Sequence, residues 1–369
     1  MANSAMVAGT TKTTPGVPHR VQLTRSSATP HTNDKAPSSL QTINVSTIKS
    51  KLLNKGYNVN VACTMIDARS KNTYNQYQTY WDRWAVFCKS AEVDPEFPPM
   101  PPVLNFLQQC RETHNLGYSA INTARSALSL IAEHNGVPVG QNEDMATYLK
   151  GVRNQYPHLP KYSTIWDADI LLAHMESLGE PQTLDLKTLS VKLAALILLA
   201  SAQRVQTLPH LSIDHLLFTE DGAKFVVLDK LKHTTKQGTE IVLKSFPGSP
   251  ALCVVQHLSM YIKCTEPVRT STSLLLSYQK PFHPVGTQTL GRWLRGLLQD
   301  AGINLQAFGP HSIRAASSAA AKRGGAQVDT ILKAGCWAQE STYTKWYEKP
   351  ISNQGPTFHQ AVMHSFAKM

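Results

Sequence analysis

Residues 308–349 read FGPHSIRAASSAAAKRGGAQVDTILKAGCWAQESTYTKWYEK, and they constrain the fold more than any other stretch. His311 and Arg314 stand three apart at the head of a run of small residues, Ala315 to Ala321. On a helix that spacing sets both side chains on one face, and the small residues behind them allow close packing. Gly324 and Gly325 then stop the helix. A short apolar helix, roughly Val328 to Ala334, leads to Trp337, and a last segment ends in Tyr343, Trp346 and Tyr347. Two glycine-punctuated turns can thus gather a His, an Arg, a Trp and a Tyr in one pocket. Each feature is common alone; their order carries the weight.

The preceding chain reads as two helical blocks around a linker. Residues 1–44, rich in Ser, Thr and Pro, bury too little apolar surface to offset ordering entropy and read as a disordered basic arm. Residues 45–156 read as a helical domain. VSTIKSKLLNKG is a short amphipathic helix with a Gly stop, and Tyr77, Trp81, Trp84 and Cys88 recur at the spacing of one buried helix face. PEFPPMPP reads as a rigid linker before a third helix. In the fourth, YSAINTARSALSLIAEHNG, Ile121, Leu128 and Ile131 face inward. Asn122, Arg125, Ser126 and Ser129 then form a polar side that suits a helix lying against DNA or simply against water. Lys150 and Arg153 add charge to the next helix.

Residues 157–164, with two prolines and no apolar period, read as an interdomain linker, and 165–351 as a second domain. Its run Leu193 to Ala200 is apolar all round, hence a buried helix, and Arg204 stands at its end as a charge that needs a partner if buried. KFVVLDKL and TEIVLK are β-branched strands about the turn KHTTKQG. Helices follow at 251–263 and 287–301; Arg292 and Arg295 in the latter face phosphate or solvent. The last residues, 352–369, hold Phe358, Ala361, Val362 and Phe366 at helical spacing, a stripe too short to fold without docking on something.

Charge narrows the partner. The formal net charge of +11 favours a polyanion, nucleic acid first and an anionic membrane surface second. No run of about twenty apolar residues and no signal-like apolar core are read, so no membrane partner is expected. The six cysteines lack C-x-x-C pairs and zinc spacing, so they read as reduced thiols, and no metal site is expected.

The order HSIR, small residues, Gly pair, apolar helix, GCW and a Tyr ten residues on resembles the catalytic half of the tyrosine recombinase (phage integrase) family. The Trp and the WYEKP ending, with YSAINTARSALS and YLKGVRNQYP, are more narrowly similar to the recombinases of DIRS-type retrotransposons. The resemblance covers about residues 45–351. It implies a mainly α architecture with a small β-hairpin, a helical core-binding domain and an α+β catalytic domain. It also implies a catalytic set: Arg204, a Lys on the hairpin turn, His311, Arg314, Trp337 and a Tyr. Lys230, Lys232 and Lys236 compete for the turn position, and Lys232 fits the strand-to-turn place best. The family commonly has an acid three residues after the first Arg; here it is Thr207. Many members carry the Tyr where this chain has Trp346; Tyr347 matches the DIRS-like pattern, with Tyr343 as the alternative.

That set implies metal- and ATP-independent cleavage of double-stranded DNA. Two guanidiniums offer permanent charge and forked donors to the non-bridging oxygens, and a tyrosine gives a reversible phosphotyrosine link. A Lys can protonate the leaving 5′-oxygen, His311 can accept the phenol proton, and Trp337 can offer its indole N–H to a phosphate oxygen. No cofactor and no small-molecule substrate are implied. A homo-tetramer on DNA, a nuclear location and an origin in a mobile element follow from the same resemblance. A catalytically silent, domesticated DNA-binding descendant and a type IB topoisomerase are the competing readings.

Overall fold

In the computed structural model the chain divides into two compact units, Met1–His158 and Leu159–Met369. The structure describes residues 43–157, 162–229 and 238–351. The expected arm up to residue 42, the hairpin turn with Lys230, Lys232 and Lys236, and the expected tail helix lie outside the described residues. The described chain is mainly helical with two small antiparallel sheets, as the sequence implies.

The first unit comprises α1 (Val45–Asn54), α2 (Val59–Ile66), α3 (Lys71–Ala91), α4 (Met100–His114) and α5 (Tyr118–Leu128). The ribbon of β1 (Glu133–His134) and β2 (Val137–Pro138) and the helix α6 (Glu143–Gln155) follow. Ser70 caps α3, and Tyr74, Tyr77, Trp81, Trp84 and Cys88 line its buried face. Full burial of such a ring contributes on the order of 3 kcal/mol, provided its polar atom finds a partner. Both indoles do. Trp81 Nε1 donates to the Ala127 carbonyl at 2.9 Å and Trp84 Nε1 to that of Pro95 at 3.0 Å.

Two sequence expectations change here, and one helix was not foreseen. The proline-rich stretch is not a spacer: Glu96 accepts the Glu133 N–H at 2.8 Å, and Met100 to Pro102 already lie in the first turn of α4. Ile43 is buried in the core and Asn44 caps α1, so the helical unit takes in residues before Val45. Helix α2 escaped the sequence reading because it buries only Ala62 and so shows no apolar stripe.

The second unit opens with α7 (Ala168–Ser177) and α8 (Leu186–Ser201). The sheet β3 (Leu216–Thr219), β4 (Gly222–Val227) and β5 (Thr239–Lys244) follows, in that order. The chain continues through α9 (Val254–Thr265), α10 (Thr287–Asp300), α11 (Ser312–Arg323), α12 (Val328–Gly335) and α13 (Glu340–Trp346). Strand β3 was not foreseen, since it is exposed along most of its length and lacks alternation. Phe225 sits opposite Ile241, and both point into the core with Ala223, Val227 and Leu243. Helix α8 is buried on nearly every side, Lys192 included; its ammonium donates to the Gly179 carbonyl at 2.6 Å. The small residues of α11 let it pack against α8, where Ser317 Oγ donates to the Leu199 carbonyl at 2.5 Å. Tyr162, assigned to the linker by the sequence, packs its ring 5.3 Å from that of Phe308.

Candidate active site

The C-terminal ends of α8 and α12 meet at one buried guanidinium. A helix end leaves carbonyls without intrahelical partners, and its dipole favours a cation there. Arg314, on the first turn of α11, is only 1% exposed and donates to the Ala202 carbonyl and, at 2.6 Å, to that of Gly335. Ala202 ends α8 in the left-handed conformation at φ 49°, which turns its carbonyl toward the arginine. No carboxylate is needed, because two helix ends supply the negative partial charge. Burial, then the charge of Arg204, lowers the Arg314 pKa to about 10, so it stays charged at neutral pH.

An aromatic roof covers this arginine. Its guanidinium carbon lies 3.7 Å from the centre of the Trp337 ring and 5.1 Å from that of Tyr347. The indole rests on Gly335, where an added Cβ would run into the ring. Arg314 Nε and Trp337 Nε1 are buried donors without a hydrogen-bond partner among the described residues.

The two candidate tyrosines, one turn apart, have different surroundings. Tyr343 is buried with Ala202, Ile331 and Trp337, and burial raises its pKa. Tyr347 caps α13 and keeps its hydroxyl 3.3 Å from His311 Nε2. His311 stands just before α11 rather than within it, so it is open to solvent while Arg314 turns inward. Crowding by protein, then the charges of Arg314 and Arg204, lower the His311 pKa and favour the neutral ring. Trp346 is 40% exposed, with the Lys345 ammonium 5.0 Å from its ring centre.

Several residues that the sequence reading passed over hold this site. Trp166 Nε1 donates to Ser312 Oγ at 2.8 Å, and Ser312 Oγ donates to the Gly309 carbonyl at 2.7 Å, which fixes the start of α11. After Tyr347, Glu348 pairs with Lys322 and the Pro350 carbonyl accepts the Ile165 N–H at 2.9 Å. Gln203 donates to the Ala334 carbonyl at 2.8 Å and to Cys336 Sγ at 3.3 Å. Thr207, which the sequence reading did single out, donates to Gln203 Oε1 at 3.4 Å.

Arg204 opens the turn Val205–His210, half-buried beside this cluster. The structure therefore gathers Arg204, His311, Arg314, Trp337 and Tyr347; the turn lysines lie outside the described residues. In the first unit Lys150 and Arg153 are exposed on α6. Arg125 is tied down, its Nη1 donating to the Gly140 carbonyl at 3.1 Å, while the Ser126 hydroxyl donates back to the Asn122 carbonyl. Arg292 and Arg295 are exposed on α10. Among the described residues no group of three His, Cys, Asp or Glu side chains could hold a metal ion, and no helix is long and apolar enough to cross a membrane.

The model of the phage integrase family matches residues 167–353. No curated protein sequence matches the chain. Among solved structures, the chain is similar to the XerH site-specific recombinase bound to palindromic difH substrate as a post-cleavage complex. That match has a TM-score of 0.54 and 14% identity, over 78% of this chain and 80% of that one. It is also similar to the Tn1549 transposon integrase in complex with circular intermediate DNA, with a TM-score of 0.51 and 14% identity over 88% and 99%. A lambda integrase dimer bound to a COC′ core site gives 0.50 and 13% over 85% and 78%. At these identities the likeness is one of fold.

Proposed function

This chain belongs to the phage integrase family, and from that premise we propose that it is a site-specific DNA recombinase that works through a 3′-phosphotyrosine intermediate. One observation carries the reading: the Tyr347 hydroxyl is 3.3 Å from His311 Nε2, over the buried Arg314.

The step follows from the residues. Tyr347 oxygen attacks the scissile phosphorus as its proton passes to His311 Nε2, whose lowered pKa leaves it a neutral acceptor. The P–O3′ bond is kept, the P–O5′ bond breaks, and the new bond joins phosphorus to Tyr347. The departing 5′-oxygen takes a proton from a lysine of the hairpin turn, for which Lys232 is our choice over Lys230 and Lys236. Arg204 and Arg314 offset the charge on the non-bridging oxygens. Arg314 Nε and Trp337 Nε1, which have no partner among the described residues, are donors suited to phosphate oxygen. Rejoining is the same step reversed, so neither metal nor ATP enters.

Double-stranded DNA is the proposed partner, supported by the +11 charge and by solved relatives bound to DNA. Asn122, Arg125, Ser126, Lys150, Arg153, Arg292 and Arg295 are the proposed DNA-facing residues, with Arg125 also serving as a structural anchor. The same proposal includes a homo-tetramer on DNA, a descent close to DIRS-type elements and work in a eukaryotic nucleus. The nearest competing reading is a silent DNA-binding descendant. A nicked suicide duplex separates them: the active enzyme leaves a covalent adduct that Tyr347→Phe abolishes while DNA binding persists. Specific binding with no adduct on any substrate favours the silent descendant.

A further inference from the structure

We propose that Gln203 is a positioning residue for strand cleavage, clamping the turn that Arg204 opens to the end of α12, from which the chain runs straight into Trp337. The inference rests on the recombinase reading above.

The accounting of α12's last carbonyls leads to it. Trp337 N–H bonds to the Leu332 carbonyl at 3.0 Å and Cys336 N–H to that of Lys333 at 3.1 Å, which satisfies two of four. The Gly335 carbonyl goes to Arg314. The remaining one, Ala334, accepts from Gln203 Nε2 at 2.8 Å. Gln203 is 3% exposed, and its surroundings fix its amide orientation. The NH₂ group faces a carbonyl and a sulfur, while the Oε1 faces the Thr207 hydroxyl. A flipped amide would set oxygen against the Ala334 carbonyl oxygen.

Three successive residues thereby divide one task. The Ala202 carbonyl holds Arg314, Gln203 holds the α12 end, and Arg204 is left for the site. Arg314 also bridges these two segments, and Ala202 packs with Ile331 and Trp337, so removing Gln203 loosens the clasp without emptying the core. The loss of one neutral hydrogen bond leaves the fold in place. Placement suffers instead, and a misplacement of about 1 Å can cost about a hundredfold in rate.

The test uses the full chain with Gln203→Met, which removes donor and acceptor, and Gln203→Glu, which keeps shape and the Thr207 contact. Three readouts are taken: single-turnover adduct formation on saturating nicked duplex, affinity for that duplex, and hydrogen exchange of residues 332–338 without DNA. At pH 7.5 both variants should lose between about tenfold and a hundredfold in adduct rate, with affinity unchanged and faster exchange at 336 and 337. The ratio of Gln203→Glu to wild type should recover as pH falls toward 5.5, because a protonated carboxyl can again donate to the Ala334 carbonyl. Gln203→Met should show no such recovery, which a role in packing alone would not distinguish. Wild-type adduct rates together with unchanged exchange in both variants overturn the proposal, and a recovery absent from Gln203→Glu does so as well. If the wild-type chain yields no adduct, the recombinase reading fails, while the exchange data still test the clamp.

Discussion

Arg314 lies beneath Trp337, its guanidinium carbon 3.7 Å from the ring centre, and among the described residues no carboxylate pairs with it. Two helix ends do that work, so the arginine is part of the architecture as well as the chemistry. Arg314→Lys keeps the charge but loses the fork. It should cost about 3 kcal/mol in chemical denaturation, since two helix-end carbonyls lose a charged donor, and should also abolish the DNA adduct. Stability equal to wild type would mean that the buried fork is dispensable.

Gly335→Ala tests the roof. A methyl there collides with the indole, so Trp337 must move off Arg314. We expect a loss of about 1–3 kcal/mol and a slower adduct with DNA affinity kept. Trp337→Phe retains a ring over the arginine but lacks Nε1, so it should fold well and cleave slowly. Equal cleavage by Trp337→Phe and wild type would remove the indole N–H from the account.

The pH profile reports on His311. Its pKa is held below the ordinary value, so the neutral acceptor is present at pH 7 and is lost only as pH falls through the lowered pKa. The acid limb of the adduct rate should therefore lie below about 6.5, the ordinary histidine value. A limb at or above that value would contradict the geometry.

A buried lysine gives a stability signature in the same unit. Burial, only partly offset by Glu176, lowers the Lys192 pKa from 10.5 to about 8. Between those values the unfolded chain binds the proton more readily, so stability rises with pH across that window. Lys192→Met should remove that rise and be the more stable protein at pH 7. The difference between the two proteins across pH 8 to 10 is the quantity to measure; parallel curves would mean the ammonium is already solvated.

In the first unit, surface charge and anchored charge should separate. Lys150→Ala and Arg153→Ala should weaken DNA binding and flatten its salt dependence with no change in stability. Arg125→Ala should lower stability too, because Arg125 holds the turn at Gly140. Equal effects of all three would put Arg125 on the open surface.

Much of this site was legible in the chain because order and spacing survive in one dimension. The small-residue run after HSIR does allow α11 to lie close to α8, and the apolar run of α8 is buried as its composition demands. What the sequence could not convey is which polar atom meets which. It flagged Arg204 as the charge in need of a partner, whereas Arg314 is the buried one, held by carbonyls that any residue could supply. Gln203 carries no motif of its own, and Gly335 is legible only as the glycine of GCW until the ring above it is seen. Helix α2 and strand β3 are too exposed to show a period.

The central claim is that Tyr347, and not Tyr343, attacks the phosphate. Tyr343 is sealed in a small core, while Tyr347 faces His311. The most direct measurement is to trap the adduct on a nicked suicide duplex, digest the protein and DNA, and locate the nucleotide-bearing residue by mass spectrometry. The account predicts the modification on Tyr347. A nucleotide on Tyr343 would contradict it.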